Sequence, residues 1–438
     1  MSTAPHPTRV RHAVLLATTL AAFLMYVDRA CLAWTIKSGS FEKQVQITPD
    51  QVEWLKSAFF WAYALAQVPA GWLAERFGVR ALMTIYIATW SAFTAMTGFA
   101  TGFTSLVVAR FGCGLAEAGA YPASSSLLKR WAHFQWRGVA SSVVSLGGRI
   151  GFALAPTLTA TIIAWAADWR WAGWIYGAAG VATAAIFWRV FRETPAENPN
   201  CNEAERALLA EGNVESEVRR APAPFPWRPV LTSRTLWCMC CVQLASNVGW
   251  AFLINSLADF LKHAKHLDDR ANGLASTLAL ALGLAGLPLG GLLTDLCTRK
   301  LGLRLGRLIP LAATRFMAAG AYLAALCFDS PWAVAAAFGL VAFSTDMGLP
   351  ATWACMQDIG GRHTAPIFGW ANMWGNFGAA LQPVMMAWVL RTFDGNHDWR
   401  AGLLFSCGAF VVSGVCAFGI NAAAQVAPEE NEMASKHA

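Results

Sequence analysis

The sequence predicts an all-α membrane protein whose twelve transmembrane helices form two pseudo-symmetric six-helix bundles, and three observations carry this. Of 438 residues, 56% are apolar and only 13% charged, against about 25% charged in a soluble globular protein. That apolar share, about 245 residues, is close to what twelve spans of roughly 20 residues require. Apolar runs recur along the whole chain, and the longest polar stretch, 192–234, is too short and too rich in proline to hold a core of its own. This distribution excludes an ordinary soluble enzyme and also a soluble domain on a single anchor.

Taken in order, the first span covers 13–36. Arg9 and Arg11 precede it as in a signal peptide, but it exceeds the 7–15 residues of such an apolar region and carries Asp28 and Arg29 inside. Apolar windows bounded by Gly, Pro and charge then place spans at 52–74, 81–100, 103–127, 138–164, 169–191, 235–261, 272–295, 308–328, 332–356, 365–390 and 400–424. The charged segment 192–234, with Pro222, Pro224, Pro226 and Pro229, divides the spans six and six. The expected organisation is an N-terminal bundle over 1–191, a cytoplasmic linker over 192–234, a C-terminal bundle over 235–424 and a cytoplasmic tail over 425–438.

Basic loop residues fix the orientation. With both termini in the cytoplasm, that side holds Arg76, Arg80, Lys129, Arg130, Arg219, Arg220, Arg299, Arg304 and others, whereas the opposite side holds chiefly Lys37, Lys43, Lys262, Lys265, Arg270, Arg391 and Arg400. The net charge of +7 is thus a matter of topology, and no nucleic-acid partner is expected. Almost all of the eleven cysteines fall in apolar runs and read as small buried hydrophobes, without a disulfide framework. Cys238, Cys240 and Cys241 contain a Cys-x-x-Cys, but no second pair or nearby His completes a zinc site, so neither metal nor cofactor is expected.

Gly71-Trp72-Leu73-Ala74-Glu75-Arg76 closes the second span, and Gly291-Leu292-Leu293-Thr294-Asp295 closes its counterpart, the eighth. Internal repeats of this kind place a substrate site near the bilayer midplane between the halves. With Gly78 and Arg80 the first copy resembles the G-x-L-a-D-r-x-G-r-r loop of the major facilitator superfamily, with Glu75 for the Asp and Val79 for a basic residue. An acid at a helix end can pair with a neighbour's basic residue or helix N-terminus. Gly71, Glu75, Arg76, Arg80 and Asp295 are therefore gate candidates on the cytoplasmic side; the plainer alternative is a solvated turn.

Ionisable residues within spans are costly and mark function by default. Span 1 carries Asp28 and Arg29, span 4 Arg110 and Glu117, span 5 Arg149 and span 10 Asp346. At 1.5 Å per residue, Arg110 lies about 10 Å and Glu117 about 21 Å into span 4, on one face, and Arg149 about 16 Å into span 5. A buried Arg keeps its proton and is a fixed, bidentate anion site, whereas buried carboxylates can load and release protons. Together these residues specify anion binding coupled to protonation; intramembrane salt bridges, such as Asp28 with Arg110, are the structural alternative. Gln243 and Asn247 on span 7, and Asn372 and Asn376 on span 11, are spaced one turn apart and suit a hydroxylated ligand, or serve as interhelical glue. Among 21 Trp, those at span ends such as Trp131, Trp169 and Trp399 read as interfacial anchors.

Tyr26-Val27-Asp28-Arg29, Ser57 to Tyr63 with Gln67-Val68-Pro69-Ala70-Gly71, Arg110 to Glu117 continuing to Pro122, and Asp358 to His363 followed by Gly369 and Asn372 to Gly378 resemble a narrower branch, the anion:cation symporter family, from about Tyr26 to Pro383. That resemblance implies symport of an organic anion, a sugar acid or other carboxylate, with protons. It implies Asp28 and Glu117 as proton-coupling carboxylates, Arg29 controlling the first, and Arg110 linked to the second or to substrate. Tyr26, Tyr63 and Asn376 would face the substrate. Gly147-Gly148-Arg149 departs from sugar-acid members, which carry a neutral polar residue near here, and an added cation suits a second carboxylate. The expected setting is a bacterial inner membrane, with a small organic anion, protons and lipid as partners of a monomer. A spinster-type lipid carrier shares the Asp-Arg and Arg-Glu pairs but not the Ala-Tyr-Pro-Ala-Ser continuation. A membrane-embedded enzyme lacks support, since all eight His fall in tails, loops or span ends.

Overall fold

The computed structural model describes residues 6–211, 224–393 and 399–427, which are helical with no strand among them. Arg219, Arg220, Pro222 and most of the expected tail lie outside the described residues. Among the described residues, six stretches are long and apolar enough to cross a membrane, and two of them, 57 and 63 residues long, are more than double the roughly 20 residues one crossing needs. Each of those two holds two helices. Gly302 (φ 75°) interrupts Asp269–Cys327, and Gly361 (φ 52°) closes Pro331–Gly360 before Thr364–Phe393. Positive φ is cheap only for a residue without a Cβ. The span expected over 103–127 is bent between Phe103–Glu117 and Ala120–Trp131, where Ala118 and Gly119 keep right-handed helical backbone.

The chain forms two compact units. The first comprises Met1–Phe134, Val143–Phe225 and His363–Gly369. It holds α1 (Val10–Thr35), α2 (Gly39–Gln44), α3 (Pro49–Phe77), α4 (Val79–Thr97), α5 (Phe103–Glu117), α6 (Ala120–Trp131), most of α7 (Arg137–Ala166), α8 (Arg170–Val190) and α9 (Glu203–Ala210). Close backbone approach orders this unit. A Cβ on Gly114 would lie 2.4 Å from the Phe59 carbonyl oxygen, and one on Gly151 would lie 2.2 Å from that of Phe23. Missing side chains at those crossings let α5 settle on α3 and α7 on α1.

The second unit comprises Gln135–Ser142, Pro226–Arg362 and Trp370–Ala438. Its helices are α10 (Trp227–Thr232), α11 (Arg234–Asn255), α12 (Leu257–His263), α13 (Asp269–Cys327), α14 (Pro331–Gly360), most of α15 (Thr364–Phe393) and α16 (Arg400–Ala417). An aromatic core of Phe252, Phe260, Tyr322, Phe338 and Phe410 joins them, with Trp399 packed against it. The Tyr322 hydroxyl donates to the Gly249 carbonyl at 2.8 Å, so the buried phenol is satisfied. Leu16, Trp165, Val181, Leu292, Val384 and Val415 stand exposed. In water such a surface would aggregate, and in a bilayer it is the lipid face.

The segment after α8 is structured where it is described. Arg9 gives α1 no side-chain cap. Glu205 of α9, fully buried, supplies it by accepting from Val10 N (3.2 Å), Arg11 N (3.1 Å), Arg11 Nη1 (2.8 Å) and the Thr8 hydroxyl (2.5 Å). Burial works to raise the Glu205 carboxyl, but the bonds from Thr8, Arg11 and Val10 outweigh it and hold the group below its ordinary value.

Candidate functional site

The charged residues of α1 and α5 meet inside the first unit. Arg29 donates twice to one oxygen of Glu117, from Nε at 3.1 Å and Nη2 at 2.7 Å, and Glu117 is fully buried. The other oxygen, Oε1, accepts from the Cys113 thiol at 3.3 Å. Three rings surround the same guanidinium, with centroids 4.9 Å away at Tyr26, 5.1 Å at Phe59 and 4.6 Å at Tyr63. Phe59 and Tyr63 stack on each other, one turn apart on α3. A cation held by an aromatic cage and one carboxylate oxygen is pinned in place while its positive charge stays available.

Asp28 points elsewhere. It is fully buried, and among the described residues no donor stands within hydrogen-bond distance of either oxygen, Trp90 and Thr94 of α4 being the polar groups that face it. Arg110, 3% exposed, donates to the backbone carbonyl of Asp28 at 3.5 Å and approaches Cys31 Sγ at 4.0 Å. The partners thus differ from those expected. Arg29 serves Glu117 and not its sequence neighbour Asp28, because adjacent residues on a helix point about 100° apart. Arg110 and Glu117 share a face, but seven residues separate them by about 10 Å along the axis, too far for contact. Arg149 is half-buried on α7 next to Gly148, where a Cβ would lie 2.9 Å from the Tyr26 ring and 3.0 Å from the Tyr121 hydroxyl.

In the second unit the amides sit together. Asn247 Nδ2 donates to the Gln243 carbonyl at 2.8 Å, and Asn376 Nδ2 to the Asn372 carbonyl at 2.8 Å. A Cβ on Gly375 would lie 2.9 Å from Asn247 Nδ2, so α11 and α15 touch there. Tying the donors to their own helices leaves the side-chain carbonyls to accept from hydroxyls. Asp346 has an electrostatic partner that sequence reasoning passed over: Arg315, 2% exposed, with Nη2 3.2 Å from the Thr352 hydroxyl. Arg315 interrupts an apolar run as plainly as Arg149 does, so the same rule would have found it.

The gate candidates divide. Glu75 accepts from Ala365 N at 2.7 Å, and a Cβ on Gly71 would lie 2.8 Å from the Ala365 carbonyl, so α3 meets the start of α15 without side chains between them. Asp295 accepts from Gly138 N (2.9 Å) and Val139 N (2.8 Å) at the start of α7, with Arg307 Nη1 3.6 Å away. Arg307 Nε donates to Asp358 at 2.8 Å, and Asp358 also binds Arg137. Arg76 instead lies over Trp72 and Phe77, and Arg80 over Trp188 at 3.9 Å, donating to its carbonyl. Arg137, Arg307 and Asp358 were missed as a group because their partners come from separate helices, and so was Glu193, which caps α4 at Arg80 N (2.7 Å) and binds Arg130 (2.8 Å).

A helical bundle with apolar outer faces and buried charges is the build of an integral membrane carrier. The sequence matches the family model of the Major Facilitator Superfamily over residues 18–383. The chain belongs to that superfamily and is a membrane transporter, not an enzyme. It is 27% identical over 411 residues to the probable sulfoacetate transporter of Cupriavidus necator, covering 92% of this chain and 93% of that one. It is 26% identical over 414 residues to the probable L-galactonate transporter of Escherichia coli, covering 94% and 89%. The crystal structure of a bacterial homologue of the iron transporter ferroportin, in its outward-facing state, superposes with a TM-score of 0.70 at 12% identity, covering 94% of this chain and 99% of that one, and shares the fold.

Proposed function

We propose that the protein carries a small organic anion, a sugar acid or related carboxylate, together with protons by alternating access. The observation that carries this reading is the pair of fully buried acids in the first unit, one bonded to Arg29 and one with no donor within hydrogen-bond distance among the described residues. An ion pair inside a membrane bundle holds only while the acid is charged, so protonating Glu117 frees the guanidinium of Arg29 for an incoming carboxylate. Release of that proton on the other side restores the pair and expels the anion. Tyr26 and Tyr63 frame Arg29, Arg110 adds a second fixed cation, and Gln243, Asn247, Asn372 and Asn376 supply acceptors for hydroxyls. Names of the relatives, a sulfoacetate and an L-galactonate transporter, support the anion class. The membrane proposed is a bacterial inner membrane, with both termini cytoplasmic by the distribution of basic loop residues.

Proteoliposomes offered L-galactonate and sulfoacetate, outside more acidic, test it. Wild-type protein is expected to accumulate one of them until a protonophore is added. Glu117→Gln mimics the protonated acid and is expected to keep exchange while losing gradient-driven accumulation. Full accumulation by that variant rejects the role.

Arg149 bears on the choice between these anions, because sulfoacetate carries two charges and a galactonate one. Arg149 is half-buried beside Gly148, close to the Tyr26 ring, so its fixed charge adds to that of Arg29. Arg149→Gln is expected to lower dianion affinity about tenfold relative to monoanion affinity. Equal losses for both anions would assign Arg149 to packing.

A further inference from the structure

We propose that Cys113 is a positioning residue for proton loading, its thiol meeting Oε1 of Glu117 as a donor while that acid is charged and as an acceptor once Oε1 carries the proton. This rests on the reading of Glu117 as the proton carrier. Arg29 occupies Oε2 twice, so Oε1 is the oxygen left to take a proton, and Cys113 Sγ stands 3.3 Å from it, one turn earlier on α5. Cys113 is 1% exposed and Glu117 is fully buried. The sulfur also lies 4.0 Å from the Trp90 carbonyl oxygen and 4.0 Å from the Thr94 hydroxyl of α4. The S–H bond therefore has two directions in which to point.

With Glu117 charged, the thiol donates to Oε1. When a proton bonds to Oε1, the new hydroxyl donates to Sγ and the thiol swings its own hydrogen to the Trp90 carbonyl. No bond to sulfur is made or broken. A neutral group that is both donor and acceptor can do this, and a methyl group cannot. The other groups around Glu117 are poor substitutes: Arg29 only donates, and Arg110 and Asp28 act on it from further away, through charge. A thiol here thus does more than fill space, which is all that its place in an apolar run suggests.

Infrared titration of the purified protein tests this without a substrate. The protonated-carboxyl band of Glu117 is identified by its loss in Glu117→Gln, and that of Asp28 by its loss in Asp28→Asn. Cys113→Ser keeps a two-way hydroxyl and is expected to titrate as wild type. Cys113→Ala removes both bonds, and because the one to the charged carboxylate is the stronger, it is expected to move the Glu117 midpoint up by about half a pH unit. Cys113→Val, which leaves no cavity, reads the same loss should Ala destabilise the fold. Midpoints unchanged in Ala and Val, or shifted equally in Ser, overturn the proposal. A Glu117 band that does not titrate at all would instead overturn the proton-carrier reading beneath it.

Discussion

Glu75 and Asp295 stand at matching places in the two halves of the sequence and do the same local work in different company. Each carboxylate caps the N-terminus of a helix from elsewhere in the chain, Glu75 at Ala365 of α15 and Asp295 at Gly138 and Val139 of α7. Around Glu75 the neighbouring cations are committed to rings and carbonyls, Arg76 to Trp72 and Arg80 to Trp188. Around Asp295 the charges interlock: Arg307 lies between Asp295 and Asp358, and Asp358 holds Arg137 as well. One motif thus makes a cap in the first unit and a node of a buried charge network in the second. What decides is whether the following helix turns an arginine inward. Arg307 is fully buried, whereas Arg80 is bound at the surface by a tryptophan.

The largest effect is expected where the network is cut. Asp358→Asn leaves Arg137 and Arg307 buried with less neutralising charge, which should cost about 3–5 kcal/mol, seen as a large drop in thermal midpoint in detergent. A wild-type midpoint would reduce the node to three independent contacts. A smaller loss, about 1–2 kcal/mol, is expected for Asp295→Ala, with Glu75→Ala at or below the lower end. Reversal of that order breaks the comparison.

Glu205 offers the smallest and most selective test, as a third acid that caps a helix, here α1. Its carboxyl is held below its ordinary value, so its contribution is present above the unfolded value of about 4.3 and is lost as pH falls through the folded one. Glu205→Gln should expose the N-terminus of α1 to protease at pH 7, and the difference from wild type should shrink as pH falls below the unfolded value and vanish below the folded one.

The fold class was legible because lipid writes itself into composition: long apolar runs admit few other solutions. Asp28, Arg29, Arg110 and Glu117 were legible for the same reason, each being a charge where charge is expensive. Their partners were not. Spacing along one helix says which residues share a face, but the Arg29 to Glu117 bond joins α1 to α5, and no periodicity within either helix encodes it. The bend of the fourth span after Glu117 was hidden as well, since Ala118 and Gly119 are ordinary in an apolar run. Cys113 and Arg315 escaped for opposite reasons. The thiol looks apolar in sequence and acts polar in place, and the arginine was counted into an apolar run although its charge was in plain view.

Gly78 alone links Phe77 at the end of α3 to Val79 at the start of α4, with φ at 99°. One residue of slack spans at most about 7 Å between its neighbours, so the two helices form a lever whose elbow keeps their ends together. A spectroscopic label carried on the outer face of α4 will therefore report the travel of α3, and with it Phe59 and Tyr63, without touching the rings around Arg29. The exposed thiols of Cys241 and Cys327 would first have to be replaced, so that the signal comes from the lever and nothing else.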